Sequence, residues 1–326
     1  MIISKTPLRV SFFGGGTDIP EFYRNYKGAV IGTAIDKFIY HSVFKFPSKL
    51  FSYKTRISYS KVECVSELDE IQHSPYREIL RANDIHGDIE MHVASDLPSF
   101  SGLGTSSSFS VGLIKALNAY KNQHISQENL AKEAIRIERD ILKEAVGCQD
   151  QIFAAYGGFN IIQFKQDDSF DVERVSISES KMSELSESLV LFFTGITRRA
   201  HNVEAEKIKN ISTINNNLKN MYELVEKSNN ILTNNQTLSE FGMLLDQTWT
   251  DKKRLSNGIT NAIIDEIYTR ALKNGALGGK LLGAGGGGFL LFFVPPENKN
   301  KLRAALSDLH EIKFQMNAFG STIIHS

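Results

Sequence analysis

The sequence predicts an α+β protein with two domains that share a cleft. Its 326 residues are enough for two such domains. In the second half, a helix, a glycine-rich loop, a strand, a helix and a strand follow in order, which is typical of a two-layer α+β domain. A polar stretch at 167–187 lies between the halves. We therefore place the first domain at 1–175 and the second at 186–326.

Alternation and helical spacing place the individual elements. Alternating apolar and polar residues are typical of strands and predict them at 8–13, 29–35, 38–46, 51–65, 89–93 and 161–164. Helical spacing predicts helices at 74–81, from 105 onward, and after an N-cap at Ser126. In the second half the same patterns predict strands at 189–194 and 289–294, helices at 202–225, 238–249, 261–274 and 299–309, and a terminal strand.

Charge, cysteine and hydropathy patterns exclude several function classes. Lys plus Arg and Asp plus Glu both number 37, so the chain has no basic field for nucleic acid. The two cysteines, Cys64 and Cys148, form no CxxC pair, which favours a reducing compartment without disulfides. The first residues lack the apolar core of a signal peptide, and no run of about 18 apolar residues could cross a membrane. We therefore expect a cytoplasmic protein that binds neither nucleic acid nor membrane.

The loop at 96–110 contains glycines and hydroxyl residues and leads directly into a helix. Unpaired backbone N–H groups and a partial positive charge make a helix N-terminus a binding site for phosphate. Gly102 and Gly104 would let a ligand approach the backbone closely. The hydroxyls of Thr105 to Ser108 could cap the helix or contact a metal ion. A plain serine N-cap would explain the same residues, so this loop alone leaves both interpretations open.

Two further glycine-rich loops occur, one in each half. The first, Gly14-Gly15-Gly16, follows the strand at 8–13 and precedes Thr17 and Asp18. The second, at 278–288, satisfies GxGxxG only formally, because the dinucleotide fingerprint needs a strand before the glycines and a helix after them. That mismatch disfavours a dinucleotide-dependent oxidoreductase, and the chain has no GxxxxGK[ST], HExxH or clustered Cys and His. Three loops around one cleft can instead surround a nucleoside triphosphate and a small acceptor.

Two carboxylates lie where catalysis could use them. Glu138 is at the margin of the apolar face of the helix after Ser126, where a half-buried carboxylate needs a cation. Asp150 follows Gly147 at an element boundary, where catalytic groups often lie. The structural alternatives are a surface salt bridge for Glu138 and a helix cap for Asp150.

Three segments together resemble the three sequence motifs of the GHMP small-molecule kinases, a family that includes galactokinase, homoserine kinase and mevalonate kinase. In the family's order, they lie at 7–18, 98–108 and 280–288. Because all three are present with suitable spacing, the resemblance covers essentially the whole chain. It implies a two-domain fold with a ribosomal-protein-S5-like N-terminal domain and a ferredoxin-like C-terminal domain.

The resemblance also implies a role for each motif residue. ATP and Mg²⁺ are the implied cofactors, and the ATP phosphates would be held by Ser101, Gly102, Leu103, Gly104, Thr105, Ser106, Ser107 and Ser108. Ser106, with Ser107 as the fallback, and Glu138 would bind magnesium, which usually takes only one or two protein oxygens. Asp150 and Arg9 would be catalytic. The acceptor would contact Gly14, Gly15, Gly16, Thr17, Asp18, Gly285, Gly286 and Arg198.

Within the family, the triple glycine resembles the sugar-phosphate branch. Galactokinase has a Glu-His pair at the places of Gly15 and Gly16, and the segments at 193–198 and 249–258 also resemble the sugar-phosphate branch. The implied reaction transfers the γ-phosphate of ATP to the anomeric hydroxyl of D-glycero-D-manno-heptose 7-phosphate. Its product, heptose 1,7-bisphosphate, would feed the synthesis of nucleotide-activated heptose for surface polysaccharide.

A substrate that already carries a phosphate needs a cationic pocket. The candidate cations, each of which could equally lie on a solvated helix face, are Arg198, Arg199, Lys252, Lys253 and Arg254. The implied partner is a small-molecule sugar phosphate, and a homodimer is left open. Fucokinase-type kinases share much of the pattern, so a fucokinase-like or other sugar 1-kinase is the alternative. A non-catalytic ligand sensor on the same fold is more remote, because Asp150 and both magnesium ligands are present.

Overall fold

The structure, a computed structural model, describes residues 1–99, 101–197, 208, 211–234 and 236–326. Two long antiparallel strands, β1 (Ile2–Phe13) and β2 (Gly28–Lys45), form the centre of the first sheet. The first half of β2 pairs with β6 and its second half with β5, while β1 covers the other side. The remaining bounds are β3 Thr55–Ser58, β4 Val62–Val65, β5 Ile89–Ser95, β6 Phe159–Phe164, β7 Phe170–Arg174 and β12 Thr322–His325.

The strand β2 replaces two predicted strands, at 29–35 and 38–46. Asp36 and Lys37 interrupt the alternation of apolar and polar residues, which is why the sequence predicts a break there. In the structure these two residues lie in a bulge, since Ile35 pairs with Leu8 whereas Phe38 pairs with Pro7. A bulge bends a strand without ending it.

Helices cover one face of this sheet and carry several predicted site residues. They are α1 Pro20–Tyr26, α2 Ser74–Ala82, α3 Thr105–Tyr120, α4 Gln127–Ile135 and α5 Gln149–Tyr156. Helices α3 and α5 contact each other and both pack on β1 and β2. The predicted N-cap of α4 is confirmed, because the Asn129 N–H donates to Ser126 Oγ at 3.2 Å. The first turns of α3 and α5 therefore lie side by side above the central strands.

The second sheet has the strand order β11, β8, β10, β9, with each neighbouring pair antiparallel. Its strands are β8 Leu189–Phe193, β9 Gly278–Leu281, β10 Phe289–Phe293 and β11 His310–Ile312. Between β8 and β9 run α7 Ile211–Thr233, α8 Leu238–Lys253 and α9 Ala262–Lys273, and α10 Lys299–Ala305 connects β10 to β11. This order, with helical connections after the first and third strands, is ferredoxin-like, as predicted.

The predicted linker at 167–187 is more ordered than its polar composition suggests. It contains β7 and most of helix α6 (Glu179–Ser188), whose Leu185 is buried in the core. The terminal strand β12 lies in the first sheet beside β1, so the end of the chain returns to the first half. The proposed bounds of 1–175 and 186–326 remain a proposal. Part of the helix predicted at 202–225 lies outside the described residues.

In the part of the chain that the structure describes, no helix combines the length and the apolar character needed to cross a bilayer.

Candidate active site

The three glycine-rich loops meet at one cleft between the two sheets. Of the residues predicted from the sequence, the following line it: Arg9, Gly15, Gly16, Asp18, Ser101, Gly102, Gly104, Thr105, Ser106, Ser107, Asp150, Gly285 and Lys252. Those outside the loops come from β1, from the first turns of α3 and α5, and from the last turn of α8. The structure thus brings together residues that lie up to 276 positions apart, counted from Arg9 to Gly285.

The loop before α3 is braced by the loop between β9 and β10, backbone against backbone. A Cβ on Gly283 would lie 2.4 Å from Gly102 Cα, and a Cβ on Gly288 would lie 2.2 Å from the Ser101 oxygen. Both glycines have positive φ, 71° and 107°, which side chains other than glycine rarely adopt. The third motif therefore supports the second one at two points.

Helix α3 begins at Thr105 after Gly104, which has a left-handed φ of 77°. The Ser108 N–H donates to the Gly104 oxygen at 2.9 Å, and its hydroxyl donates to the Pro7 oxygen at 2.7 Å. The Leu103 oxygen accepts from the Arg9 N–H at 3.0 Å. Leu103 and Ser108 are thus buried anchors of the loop rather than residues that line the cleft.

Arg9 and Asp150 form a bidentate ion pair at the centre of the cleft. Arg9 Nε donates to Asp150 Oδ1 at 2.8 Å, and Arg9 Nη2 donates to Asp150 Oδ2 at 2.7 Å. The remaining guanidinium nitrogen, Nη1, donates to the Gly102 oxygen at 2.6 Å. Arg9 is 5% exposed, so the loop before α3, the arginine and the aspartate are held in one arrangement.

Asp18 also lines the cleft, after the glycines of the first loop. Its Oδ1 accepts from the Gly16 N–H at 2.9 Å, and its Oδ2 accepts from the Gln149 N–H at 3.2 Å. Its backbone oxygen accepts from the Cys148 N–H at 3.1 Å. Asp18 is 2% exposed, and its carboxylate is oriented by backbone amides from the first glycine loop and from the start of α5.

Glu138 is buried, with only 1% of its surface exposed, whereas the sequence predicted a half-buried carboxylate at the margin of the apolar face. The helix continues past α4 as a π-helical turn (Arg136–Ile141), shown by the hydrogen bond from the Leu142 N–H to the Ile137 oxygen at 2.9 Å. This wider turn rotates the residues away from their α-helical positions, and such turns often occur at functional sites. Burial raises the pKa of Glu138 to about 7, because the charged form loses its hydration.

Three consecutive residues at the start of α5 each hold a different part of the site. The backbone of Gln149 binds Asp18, the side chain of Asp150 binds Arg9, and Gln151 Nε2 donates to Glu138 Oε2 at 2.5 Å. A second donor to the same Glu138 oxygen is Ser107 Oγ, at 2.9 Å. One helical turn therefore sets the relative positions of three carboxylates.

Comparisons with known proteins show which family has this fold and these motifs. The model of the GHMP kinases N terminal domain matches residues 72–158, and the model of the GHMP kinases C terminal domain matches residues 219–311. A D-glycero-alpha-D-manno-heptose 7-phosphate kinase from Campylobacter jejuni is 35% identical over 318 residues, which cover 94% of this chain and 93% of that protein. The chain belongs to the GHMP kinase family. It is therefore a kinase, a phosphotransferase with an alcohol acceptor, as the three motifs predicted.

Two further relatives agree with membership of the GHMP kinases. An L-fucokinase/L-fucose-1-P guanylyltransferase from Bacteroides fragilis is 27% identical over 94% of this chain and 36% of its own length. The crystal structure of a D-glycero-D-manno-heptose 1-phosphate kinase from Bacteroides thetaiotaomicron matches with a TM-score of 0.81 at 24% identity, covering 100% of both chains. At that identity the structural likeness concerns the fold alone, and it confirms the predicted two-domain GHMP kinase fold.

The buried oxygens of Glu138 and of the first turn of α3 have a chemistry that fits a magnesium ion. Glu138 Oε1 and Thr105 Oγ1 are buried and have no hydrogen-bond partner within the described residues. Such hard oxygens are the ligands that Mg²⁺ prefers. Ser107, the fallback residue, contacts Glu138, whereas the predicted Ser106 is exposed. The assignment of Ser106 and Glu138 to magnesium remains a prediction.

Three other residues that were predicted to contact the acceptor form hydrogen bonds near the cleft but do not line it. Thr17 is fully buried, and its hydroxyl donates to the oxygens of Gly14 and Ala29. Gly286 donates its N–H to the Ile259 oxygen at 2.9 Å. None of Gly14, Thr17 and Gly286 is among the residues that line the cleft. Arg198 and Arg199 lie outside the described residues.

The three predicted cations at 252–254 have different partners in the structure. Lys252 is 5% exposed, lines the cleft, and donates from Nζ to the oxygens of Leu281 and Gly283 at 2.7 and 2.5 Å. Lys253 instead approaches Asp265 at 3.9 Å. Arg254 approaches Asp251 at 3.4 Å. Lys252 therefore supports the loop between β9 and β10, which packs against the loop before α3.

Sequence reasoning missed several residues that line the cleft or support it. Ser11 lines the cleft on the same face of β1 as Arg9, so strand alternation could have identified it. Lys280 also lines the cleft, is 3% exposed, and donates from Nζ to the Phe12 oxygen at 2.8 Å. Gln149 and Gln151 flank Asp150 in the sequence, but no local pattern indicates which carboxylate each would bind.

Proposed function

We propose that this GHMP kinase transfers the γ-phosphate of ATP to the anomeric hydroxyl of D-glycero-D-manno-heptose 7-phosphate. The observation that carries the proposal is the cleft in which Asp18 and the Arg9–Asp150 pair face the first turn of α3. This arrangement combines a phosphate-binding helix end, a cation, and two carboxylates that can bind acceptor hydroxyls. The 35% identity with the Campylobacter jejuni heptose 7-phosphate kinase supports the choice of acceptor.

Phosphoryl transfer depends mainly on positioning and on neutralising charge. The first N–H groups of α3 bind the phosphate chain of ATP, and Gly102 and Gly104 allow the close approach. Arg9 is held by Gly102 and Asp150, so its guanidinium is already oriented to balance the charge of the transferring group. When bound, magnesium would be held by Glu138 with Ser107 or Ser106, and it would supply charge neutralisation at the phosphates.

Asp150 orients the acceptor hydroxyl and accepts its proton. A carboxylate has about four acceptor sites on its two oxygens, and Arg9 occupies one on each oxygen. Asp150 therefore still has acceptor capacity while its charge is balanced. An anomeric hydroxyl is more acidic than an ordinary alcohol, so this proton transfer demands only a weak base.

The acceptor assignment is tested by measuring ADP release with purified enzyme and ATP. The acceptors to compare are heptose 7-phosphate, unphosphorylated heptose, fucose, galactose and mevalonate. We expect the highest kcat/KM for heptose 7-phosphate, with an anomeric phosphate in the product seen by phosphorus NMR. Preference for fucose would favour the fucokinase-like alternative, to which the Bacteroides fragilis relative points. No ADP release above background with any acceptor would contradict the proposal.

Gly147→Ala tests the role of Asp18 in acceptor binding. A Cβ on Gly147 would lie 1.9 Å from Asp18 Oδ2, so the carboxylate must move away from the Gln149 N–H. Since displacement by about 1 Å can cost up to 10²-fold in rate, we expect the KM for the acceptor to rise by roughly 10-fold. The KM for ATP should change little, and steady-state kinetics with each substrate varied in turn separates the two effects. A rise confined to the KM for ATP would remove Asp18 from acceptor binding.

A further inference from the structure

Gln151 connects the buried carboxylate of Glu138 to the helix that carries Asp150. Its side chain is 0% exposed, and its Nε2 donates to Glu138 Oε2 at 2.5 Å. The preceding residue, Asp150, is paired with Arg9. The first turn of α5 therefore carries both the ion pair at the cleft and one of the hydrogen bonds that orient Glu138.

The two oxygens of Glu138 have different environments. Oε2 accepts from both Ser107 Oγ, at 2.9 Å, and Gln151 Nε2. Oε1 is equally buried but has no hydrogen-bond partner within the described residues. A buried acceptor without a partner is costly, so its retention calls for a ligand or a functional reason.

We infer that Gln151 is a positioning residue that fixes Glu138 through Oε2 and presents Oε1 to the divalent cation of the nucleotide complex. The inference rests on the proposed role of Glu138 as a magnesium ligand. A neutral amide suits this task because a lysine or arginine at the same place would neutralise the carboxylate and compete with the cation. Without the amide, only the hydroxyls of Ser107 and Ser110, among the described residues, would restrain rotation of the carboxylate about its Cγ–Cδ bond.

The Oε1 atom of Gln151 supports this interpretation. It is buried without a hydrogen-bond partner among the described residues. Burying this second polar atom therefore costs free energy that no hydrogen bond offsets. If the position served packing alone, an apolar residue of similar volume would be the more stable choice. The amide is therefore explained by what its Nε2 does for Glu138.

The test replaces Gln151 by methionine, which has nearly the same length and no donor. The affinity of Mn²⁺ for the complex of enzyme and AMPPNP is measured by electron paramagnetic resonance, and AMPPNP binding is measured separately in EDTA. Loss of a residue that orients a metal ligand typically weakens metal binding by about 10- to 100-fold, so we expect Mn²⁺ affinity to fall at least 10-fold. AMPPNP affinity in EDTA should equal that of the wild type.

A second variant and a matched control complete the design. Gln151→Asn keeps the amide but shortens its reach, so it should also weaken Mn²⁺ binding, and it decides the matter if Gln151→Met does not fold. Gln163→Met makes the same chemical change at an exposed position of β6 and should bind Mn²⁺ like the wild type.

The outcomes separate the inference from the proposed function. A wild-type enzyme that needs no divalent cation would remove the magnesium role of Glu138. Normal Mn²⁺ affinity in Gln151→Met, with a wild type that does bind Mn²⁺, would overturn the positioning role and leave the proposed function intact. Equal losses of AMPPNP affinity with and without metal would also overturn it, because they would show a structural role.

Discussion

Replacing Asp150 by asparagine is expected to lower kcat by roughly 10²-fold or more, because the acceptor proton loses its base. The change also weakens the bidentate pair, since an amide offers Arg9 one oxygen where the carboxylate offers two. Arg9 then keeps its bond to Gly102 but loses its counter-charge in a site where it is 5% exposed. The measurement is kcat with ATP and heptose 7-phosphate at saturation, together with the thermal midpoint of the variant.

Asp168→Asn is the matched control for this prediction. Asp168 also pairs with an arginine through two hydrogen bonds, to Arg24 at 2.7 and 2.9 Å, but both side chains are about half exposed. Exposed ion pairs contribute little, so this variant should keep the kcat of the wild type. If Asp150→Asn retains the wild-type rate while its nucleotide binding is unchanged, Asp150 has no part in the chemistry.

The elements that carry the site are largely visible in the sequence, because local patterns determine them. Alternation in β1 places Arg9 and Ser11 on one face, and the glycines before Thr105 indicate the start of α3. The partners across the cleft are not visible in this way. The pairing of Arg9 with Asp150 spans 141 positions and depends on how α5 packs against β1.

The sequence could not decide whether Ser106 or Ser107 would contact Glu138. Successive residues of an α-helix point about 100° apart, so neighbouring hydroxyls face different directions. In the structure Ser107 contacts Glu138, which lies in a turn, Arg136–Ile141, that is π-helical rather than α-helical. A pattern with a helical period of 3.6 residues cannot anticipate such a turn, which is why Glu138 was expected to be only half-buried, at the margin of the apolar face.

The packing of the C-terminal segment is a second feature that no local sequence pattern indicates. The Ser321 N–H donates to the Ala154 oxygen at 2.9 Å, and β12 pairs with β1. A Cβ on Gly320 would lie 2.2 Å from the Ala155 oxygen, so this segment packs closely against the end of α5. Local periodicity predicted a terminal strand but carried no information about the sheet it would join.

Acidification is expected to destabilise the first half of the protein through His41. This histidine is fully buried on β2, and neither ring nitrogen has a hydrogen-bond partner within the described residues. Phe109 packs edge-on at 4.8 Å, and the nearby titratable groups are His73 and Tyr76. Burial, with a smaller contribution from the charge of His73, lowers the pKa of His41 to about 3.

The pKa of His41 is lower in the folded protein than in the unfolded chain, and this difference sets the sign of the pH effect on stability. Above about pH 6.5 His41 is neutral in both states, and its contribution to stability is complete. As the pH falls from 6.5 toward 3, only the unfolded chain takes up the proton, so each pH unit costs about 1.4 kcal/mol. Between pH 6.5 and 4.5 we therefore expect a loss of roughly 2 to 3 kcal/mol from this group.

His41→Leu should remove this part of the acid sensitivity, because leucine fills a similar volume and leaves no orphaned ring nitrogen. Thermal midpoints of the wild type and the variant, measured from pH 7.5 to 4.5, should converge or cross as the pH falls. The matched control is His124→Leu, which alters an exposed histidine in a loop and should leave the slope unchanged. If the profiles of the wild type and His41→Leu run parallel, the acid sensitivity comes from other groups, and His41 does not stay neutral because of its burial.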